Sequence, residues 1–184
     1  MCEVKESLFG GRTWVIADDQ NRLIEDIDTD QIYHNAFLHI TEISKMGQYA
    51  LGNLQGWEDF SERARPGDII VAGRNFGAGS SRQQAVDCFI SLGVAMILAP
   101  SFGAIYFRNA VNGGFPLLKS LELEELVQKG FLRSGDRIEV NAREGEGCII
   151  RGRISFRVLP LSEVQRDILK AGNLFLYGKA LYPK

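Results

Sequence analysis

The stretch PGDIIVAGRNFGAGSSRQQAVDCFISLGVAMILAP, residues 66–100, decides the fold class of this 184-residue chain. A Pro-Gly turn leads into a continuous apolar run, and a glycine-rich loop from Gly73 to Ser81 follows it. The residues from Ser81 to Leu92 place apolar side chains on one helical face, and residues 94–100 form a second apolar run. This pattern predicts a strand, a helix and a strand, with the strands covered on both sides as in a parallel sheet.

The neighbouring segments extend the alternation. A helix is predicted with Ser101 as its N-cap and a stop at Gly113–Gly114, followed by a strand in residues 115–120. Residues 13–19 predict another strand, and residues 137–159 predict a β-hairpin that turns around Gly145–Gly147. The fold class is therefore α/β, with a parallel βαβαβ core and an antiparallel β flank. Two further helices are expected, one ending at Gly130 and one between Ser162 and Gly172.

The polar residues outside the glycine loop mostly fit structural roles. Asp28 and Asp30 lie in an acidic turn segment and are expected to fix a turn and cap. Residues 33–58 form a long connection with at most one short helix, and connections of that length are commonly functional or mobile. Asn109 and Asn112 are expected to serve a helix end.

Composition excludes several classes of function. The net charge is −2, the pI is about 5.8 and the basic residues are scattered, so neither nucleic acid nor an anionic membrane is favoured. No run of 18 apolar residues exists, and residues 1–12 lack a signal-peptide core. The cysteines Cys2, Cys88 and Cys148 are far apart, which favours a reducing cytoplasm and free thiols, with Cys88 in the core. No metal or iron–sulfur site is expected on this chain, and His34 and His39 lack a metalloprotease spacing.

The glycine loop is suited to binding a small acid. Gly77 and Gly79 allow a close backbone approach, and a helix that begins near Ser81 would direct its free N–H groups into the loop. Ser80 adds a hydroxyl, and Arg82 can bind a carboxylate or a phosphate through two hydrogen bonds.

The better-known glycine-loop motifs are absent from this loop. No lysine follows Gly79 as in a Walker loop, the third glycine of a dinucleotide fingerprint is missing, and no GxSxG elbow occurs. A plain helix N-cap after a tight turn fits the loop about equally well.

Three separated motifs give a more specific signal. GRNFGAGSSRQQA at residues 73–85, LGVAMILAPSFGAIYFRNAVNGGFPLL at 92–118 and DIDTDQI at 26–32 occur in the order typical of one family. The chain resembles the 3-isopropylmalate dehydratase small subunits and the swivelling domain of the aconitase superfamily. The resemblance implies an aconitase-type swivelling β/β/α domain over residues 1–184, in which residues 33–58 are a mobile substrate loop.

The resemblance also implies a reaction. Enzymes of this superfamily dehydrate and rehydrate a 2-hydroxy acid, and a [4Fe–4S] cluster on a large partner subunit acts as the Lewis acid. By analogy, Ser80 is the base that removes the carbon proton. Gly79, Ser81 and Arg82 bind the substrate, with Ser81 acting through its backbone N–H. The implied setting is leucine biosynthesis in the cytoplasm.

Two departures from the family pattern concern the substrate. Gln83-Gln84 replaces the usual Glu-His or Glu-Gln after the arginine. Phe37-Leu38-His39 replaces Tyr-Leu-Arg in the substrate loop, so that His39 stands where an arginine would contact substrate. The leading expectation is interconversion of 3- and 2-isopropylmalate. The alternatives are a homoaconitase-like or a 2,3-dimethylmalate-type dehydratase subunit and a non-catalytic carboxylate-binding module.

Overall fold

A computed structural model describes residues 7–181 of the chain. The strands form a seven-stranded sheet in the order β4-β3-β2-β1-β5-β6-β7. The strands are β1 Leu8–Val15, β2 Ile69–Val71, β3 Met96–Ala99, β4 Leu117–Lys119, β5 Arg137–Asn141, β6 Glu146–Ile149 and β7 Ile154–Arg157. The helices are α1 Thr29–Ile32, α2 Phe60–Arg63, α3 Gln84–Leu92, α4 Ala104–Asn112, α5 Leu123–Gln128, α6 Glu163–Ala171 and α7 Leu174–Leu181.

Strand β1 belongs to both halves of the sheet. Its last residues, from Thr13 to Val15, pair in parallel with β2. Its first residues, from Leu8 to Arg12, pair antiparallel with β5. Strands β2, β3 and β4 pair in parallel, and helices α3 and α4 connect them. Strands β5, β6 and β7 pair antiparallel. The expected fold class, a parallel βαβαβ core with an antiparallel flank, is confirmed.

The parallel strands bury both of their faces. In β2, Ile70 faces the core formed with α3 and α4, while Ile69 and Val71 face the core formed with α5 and the antiparallel strands. In β3, Ile97 faces the first of these cores and Met96 faces the second. This two-sided burial explains why both strands are continuous apolar runs in the sequence.

Several predicted boundaries were wrong. Strand β1 covers residues 8–15 instead of 13–19. The expected hairpin is three strands, because a second turn at residues 150–153, with Gly152 at φ +83°, returns the chain into β7. Helix α3 begins three residues later than expected, at Gln84. Ser101 is not a helix cap, because its hydroxyl accepts a hydrogen bond from the Asn75 N–H (2.8 Å) and α4 begins after Gly103.

Other helix ends follow the sequence. Ser162 caps α6 in a capping box with Gln165, and Gly172 ends that helix at φ +93°. Gly113 ends α4. Helix α7, which the sequence did not predict, begins two residues after Gly172.

The connection of residues 33–58 contains three 3₁₀ turns, at Asn35–Phe37, Ile43–Lys45 and Gly47–Tyr49. Its two ends are packed into the core through five buried side chains, whereas residues 41–45 are exposed. The buried anchors are Tyr33, Met46, Ala50, Leu51 and Leu54.

Asp68, just before β2, gives the fold a pH dependence. Its buried carboxylate accepts four hydrogen bonds, two from Arg12 and one each from Trp14 Nε1 and the Arg65 N–H. Burial alone would raise the pKa of Asp68, but these hydrogen bonds outweigh it and hold the pKa below its usual value. The stabilisation is therefore complete above the unfolded pKa of about 4 and is lost as the pH falls through the folded pKa.

We expect Asp68→Asn to lower the free energy of unfolding at neutral pH by about 1–3 kcal/mol, because an amide cannot accept this set of hydrogen bonds. The difference from the wild type should shrink as the pH approaches about 2. Denaturant unfolding measured across this range tests both statements. Asp59→Asn is the control, since this carboxylate pairs with Arg63 on the surface. An Asp68→Asn deficit independent of pH would contradict the assignment.

Candidate functional site

The glycine loop lies between two other backbone segments that hold it in place. On one side, Gly77 N–H donates to Ile27 O (2.7 Å) and Thr29 N–H donates to Ala78 O (2.9 Å). On the other side, Phe76 pairs in parallel with Phe102. The loop leaves the carboxyl end of β2, which is the edge where open parallel sheets bind ligands. The loop is therefore a fixed part of the sheet edge.

Two glycines of the loop have positive φ angles, but their surroundings differ. Gly77, at φ +77°, lies against the ring of Tyr106, and an added Cβ would come within 2.2 Å of it. Gly79, at φ +89°, is exposed, and its nearest neighbours would be Thr29 and Asp28 at 3.8 and 3.9 Å. Gly77 thus serves packing, whereas Gly79 leaves the backbone open beside Ser80.

The hydroxyl of Ser80 lies beside a buried hydroxyl. Ser80 Oγ and Thr29 Oγ1 are 3.0 Å apart, and either can donate. Thr29 is 2% exposed, while Ser80 is exposed. Ser80 is therefore accessible to a ligand on one side and hydrogen-bonded to a shielded partner on the other.

The guanidinium of Arg82 is paired with a carboxylate from α1. Arg82 Nη1 donates to Asp30 Oδ1 at 2.7 Å. The same oxygen accepts the Asn35 N–H at 3.0 Å, and Asn53 Nδ2 approaches Oδ2 at 3.4 Å. The Arg82 side chain is 19% exposed, so it is largely enclosed but retains an open edge.

Four polar residues of the DIDTDQI motif either cap α1 or contact the glycine loop. Asp28 caps α1 in a capping box with Gln31, as the sequence predicts. Thr29 reaches Ser80 and Asp30 reaches Arg82. Asp30 does fix a turn, through the Asn35 N–H, and its pairing with Arg82 was not predicted. Sequence analysis also missed Thr29, although its place inside a family motif was an available signal.

The backbone before α3 offers free donors. Within residues 7–181, no hydrogen bond is donated by the N–H groups of residues 79–83. These groups precede the first turn of α3, where the helix dipole favours an anion. The later start of α3 therefore leaves the anion-binding interpretation intact but moves its donors into the loop.

Two side-chain hydrogen bonds lie beside this backbone. Asn109 serves the end of α4 as expected, since its backbone oxygen accepts the Gly113 N–H, and its Nδ2 also points at Ser81 O (3.4 Å). Gln83 Nε2 donates to Asp87 Oδ1 at 2.9 Å. Burial raises the pKa of Asp87, and this hydrogen bond offsets the effect only in part. An amide at position 83 can donate to Asp87, whereas the glutamate of the family pattern could not when ionised.

Within residues 7–181, no hydrogen bond, ion pair or ring contact joins the three predicted substrate-loop residues to the glycine loop. His39 is exposed and its Nδ1 lies 3.0 Å from Ala36 O. Phe37 stacks on Tyr49, with ring centroids 4.0 Å apart, and is packed against the core. Leu38 is exposed. In this structure, Phe37 is an anchor of the loop, and Leu38 and His39 are its outward side chains.

The described residues offer no site for a cluster or another metal. Among residues 7–181, no group of three His, Cys, Asp or Glu side chains could hold a metal ion. Cys88 is fully buried in α3 and burial raises the pKa of its thiol, which fits the core role expected for it, while Cys148 lies in β6. Cys2 falls outside the described residues. No helix between residues 7 and 181 has the length and hydropathy needed to cross a membrane.

Comparisons with known proteins agree with this fold and loop. Residues 17–122 match the family described as the aconitase C-terminal domain. A 3-isopropylmalate dehydratase small subunit from Lachnospira eligens is 36% identical over 90% of this chain and 91% of its own length. An isopropylmalate/citramalate isomerase small subunit from Methanocaldococcus jannaschii is 34% identical over 94% and 95% of the two chains.

A solved structure of a 3-isopropylmalate dehydratase chain from Methanocaldococcus jannaschii superposes with a TM-score of 0.81. It is 29% identical in sequence, and the match covers 95% of both chains. The sheet and the serine–arginine loop at its edge define an aconitase-type domain of the hydro-lyase class. Within that class, the chain belongs to the family of 3-isopropylmalate dehydratase small subunits.

The contact between Gly77 and Tyr106 predicts a large cost for a small substitution. We expect Gly77→Ala to lower the free energy of unfolding by about 2 kcal/mol or more, because φ strain and overpacking add. Gly135→Ala is the matched control: its φ is +92° and nothing lies within 4 Å of the added Cβ. It should cost only about 1 kcal/mol. Equal losses in the two variants, measured by denaturant unfolding, would show that the contact with Tyr106 has no energetic weight.

Proposed function

We propose that this chain, paired with a larger cluster-bearing subunit, interconverts 3-isopropylmalate and 2-isopropylmalate by dehydration and rehydration. The observation that carries the proposal is the meeting of two distant motifs at one sheet edge. Thr29 and Asp30 from DIDTDQI contact Ser80 and Arg82 from the glycine loop, respectively. A hydroxyl, a guanidinium and free N–H groups thus lie side by side, which is the set that carboxylate binding and proton transfer need.

Ser80 acts as the base in this proposal. It removes the proton from the carbon next to a substrate carboxylate, and its Oγ–H bond forms as the carbon–hydrogen bond breaks. Serine is a weak base unless its neighbours favour the alkoxide. The hydroxyl of Thr29 can donate to that alkoxide from a buried position, and the free N–H groups of residues 81–83 add positive potential.

Arg82, Ser81 and Gly79 bind the substrate. The guanidinium of Arg82 pairs with a carboxylate, the N–H of Ser81 donates to it, and Gly79 allows the close approach. Donors held in place before the reaction stabilise the charge that builds on the carboxylate as the proton leaves.

Recognition of the substrate side chain is assigned to the connection of residues 33–58. We propose that this connection is the mobile substrate loop of a single swivelling domain, with Leu38 and His39 facing the substrate after closure. The exposure of Leu38 and residues 41–45 supports an approach to a ligand there.

The partner supplies what the described residues do not offer. The family name small subunit implies a larger chain, and we place the [4Fe–4S] cluster on it, in the cytoplasm. In this proposal, this chain carries out the proton transfer and binds the carboxylate. The partner binds the hydroxyl group that leaves the substrate.

Ser80→Ala tests the base. With the reconstituted partner and 3-isopropylmalate as substrate, we expect kcat to fall by about 100-fold or more. Alkene formation followed by ultraviolet absorbance is the measurement. Ser81→Ala keeps its backbone N–H and should lose less than about tenfold. A Ser80→Ala enzyme with near wild-type kcat would remove Ser80 from the mechanism.

A wild-type pair that binds 3-isopropylmalate without converting it would favour a carboxylate-binding module. Preference for another acid in a panel with citramalate, 2,3-dimethylmalate and homologues would reassign the substrate and keep the reaction.

Thr29→Val tests the buried hydroxyl. The substitution keeps the shape of the side chain and removes its hydrogen bond to Ser80, so we expect kcat to fall about tenfold. Thr29→Ser restores a hydroxyl and should recover most of the rate. Thermal unfolding of each variant separates this effect from a loss of fold. If valine and serine variants lost equal activity, the hydroxyl would not be the cause.

A further inference from the structure

We propose that Asp30 is a positioning residue, which orients Arg82 for the substrate and connects that arginine to both ends of the substrate loop. The inference rests on the proposed function, because it assigns Arg82 to the substrate carboxylate. It adds a residue that acts on the reaction through Arg82 without touching the substrate.

The first support is the geometry at one oxygen atom. Asp30 Oδ1 accepts from Arg82 Nη1 at 2.7 Å and from the Asn35 N–H at 3.0 Å. A charge-assisted hydrogen bond of this length is among the stronger polar contacts in proteins. With a second donor on the same oxygen, the carboxylate cannot rotate freely away from the arginine.

The second support is the set of guanidinium N–H donors that the pairing with Asp30 leaves unused. A guanidinium has five N–H donors, and Arg82 uses one nitrogen, Nη1, on Asp30. Among the described residues, the Arg82 side chain has no other hydrogen-bond partner. The remaining edge can therefore form the two parallel hydrogen bonds that a carboxylate ligand prefers. An unheld arginine would lose more side-chain entropy on binding the same ligand.

The third support is the link to the substrate loop. Asn35 belongs to the first 3₁₀ turn of the connection, and Asn53 lies near its other end. Asn53 Nδ2 approaches both the backbone oxygen and Oδ2 of Asp30, at 3.2 and 3.4 Å. One carboxylate thus contacts the arginine and both ends of the loop. A displacement of either loop end would therefore change the position of Arg82.

A purely structural role for Asp30 makes a different prediction. Asp30 lies in the first turn of the short helix α1, and its loss could loosen that helix without any effect through Arg82. In that case, its substitution would reduce activity by the same factor whether or not Arg82 is present. A double-mutant cycle separates the two roles.

The experiment measures kcat/KM for Asp30→Ala, Arg82→Ala and the double variant, each assembled with the large subunit. We expect Asp30→Ala to lower kcat/KM about tenfold in the wild-type background and less than about twofold in the Arg82→Ala background. Asp30→Asn keeps one acceptor and should lose about threefold. Arg82→Lys serves as the second background if the alanine variant falls below detection.

Glu25→Ala is the matched control, because Glu25 pairs with Arg74 of the same glycine loop at 3.5 Å. It should leave kcat/KM within about twofold of the wild type, as expected for an exposed pair. Equal losses from Asp30→Ala in both backgrounds would overturn the proposal.

A second measurement does not depend on activity. In the free small subunit, Asp30→Ala should speed amide hydrogen exchange at Asn35 and its neighbours by about tenfold, because the hydrogen bond from that N–H is lost. Unchanged exchange there would refute the link to the loop. If the wild-type pair dehydrates none of the acids, the proposed function fails, while faster exchange in the variant would still support the link.

Discussion

Two backbone hydrogen bonds, from Gly77 N–H to Ile27 O and from Thr29 N–H to Ala78 O, determine where the turn of residues 28–30 meets the glycine loop. Backbone pairing of this kind has a fixed register. Once Ala78 lies opposite Asp28, Thr29 lies at Ser80 and Asp30 at Arg82. The side chains of the candidate site are therefore arranged by main-chain geometry, and no rearrangement is needed to bring them together.

The sheet supplies the rigidity behind this pairing. Strand β1 joins the parallel and antiparallel halves, so the edge that carries the glycine loop is attached to a seven-stranded unit. Phe76 anchors the loop from below, buried among Phe89, Phe102 and Tyr106. Catalytic groups on a loop are most effective when packing fixes the backbone that bears them, and this loop meets that condition.

The sequence allowed the local features to be predicted and left the long-range ones open. The continuous apolar runs of β2 and β3 predicted a parallel sheet covered on both faces, which is confirmed, whereas the anion site around Ser80 stays a prediction. The roles of Thr29 and Asp30 depend on contacts across about 50 positions of chain, and no local periodicity reports such contacts. Ser101 was misassigned for the same reason, since its hydroxyl serves Asn75 of a neighbouring segment.

The segment between Tyr33 and Leu54 has ends packed into the core and an exposed middle, and this contrast has an evolutionary consequence. Its ends are fixed by buried side chains and by the stacking of Phe37 on Tyr49, while the arc between them faces outward. Point changes in the outward arc leave the anchoring contacts untouched. Under the proposed function, in which this arc is the substrate loop, relatives could diversify the acids they accept by substitutions at a few outward positions, without compensating changes in the interior.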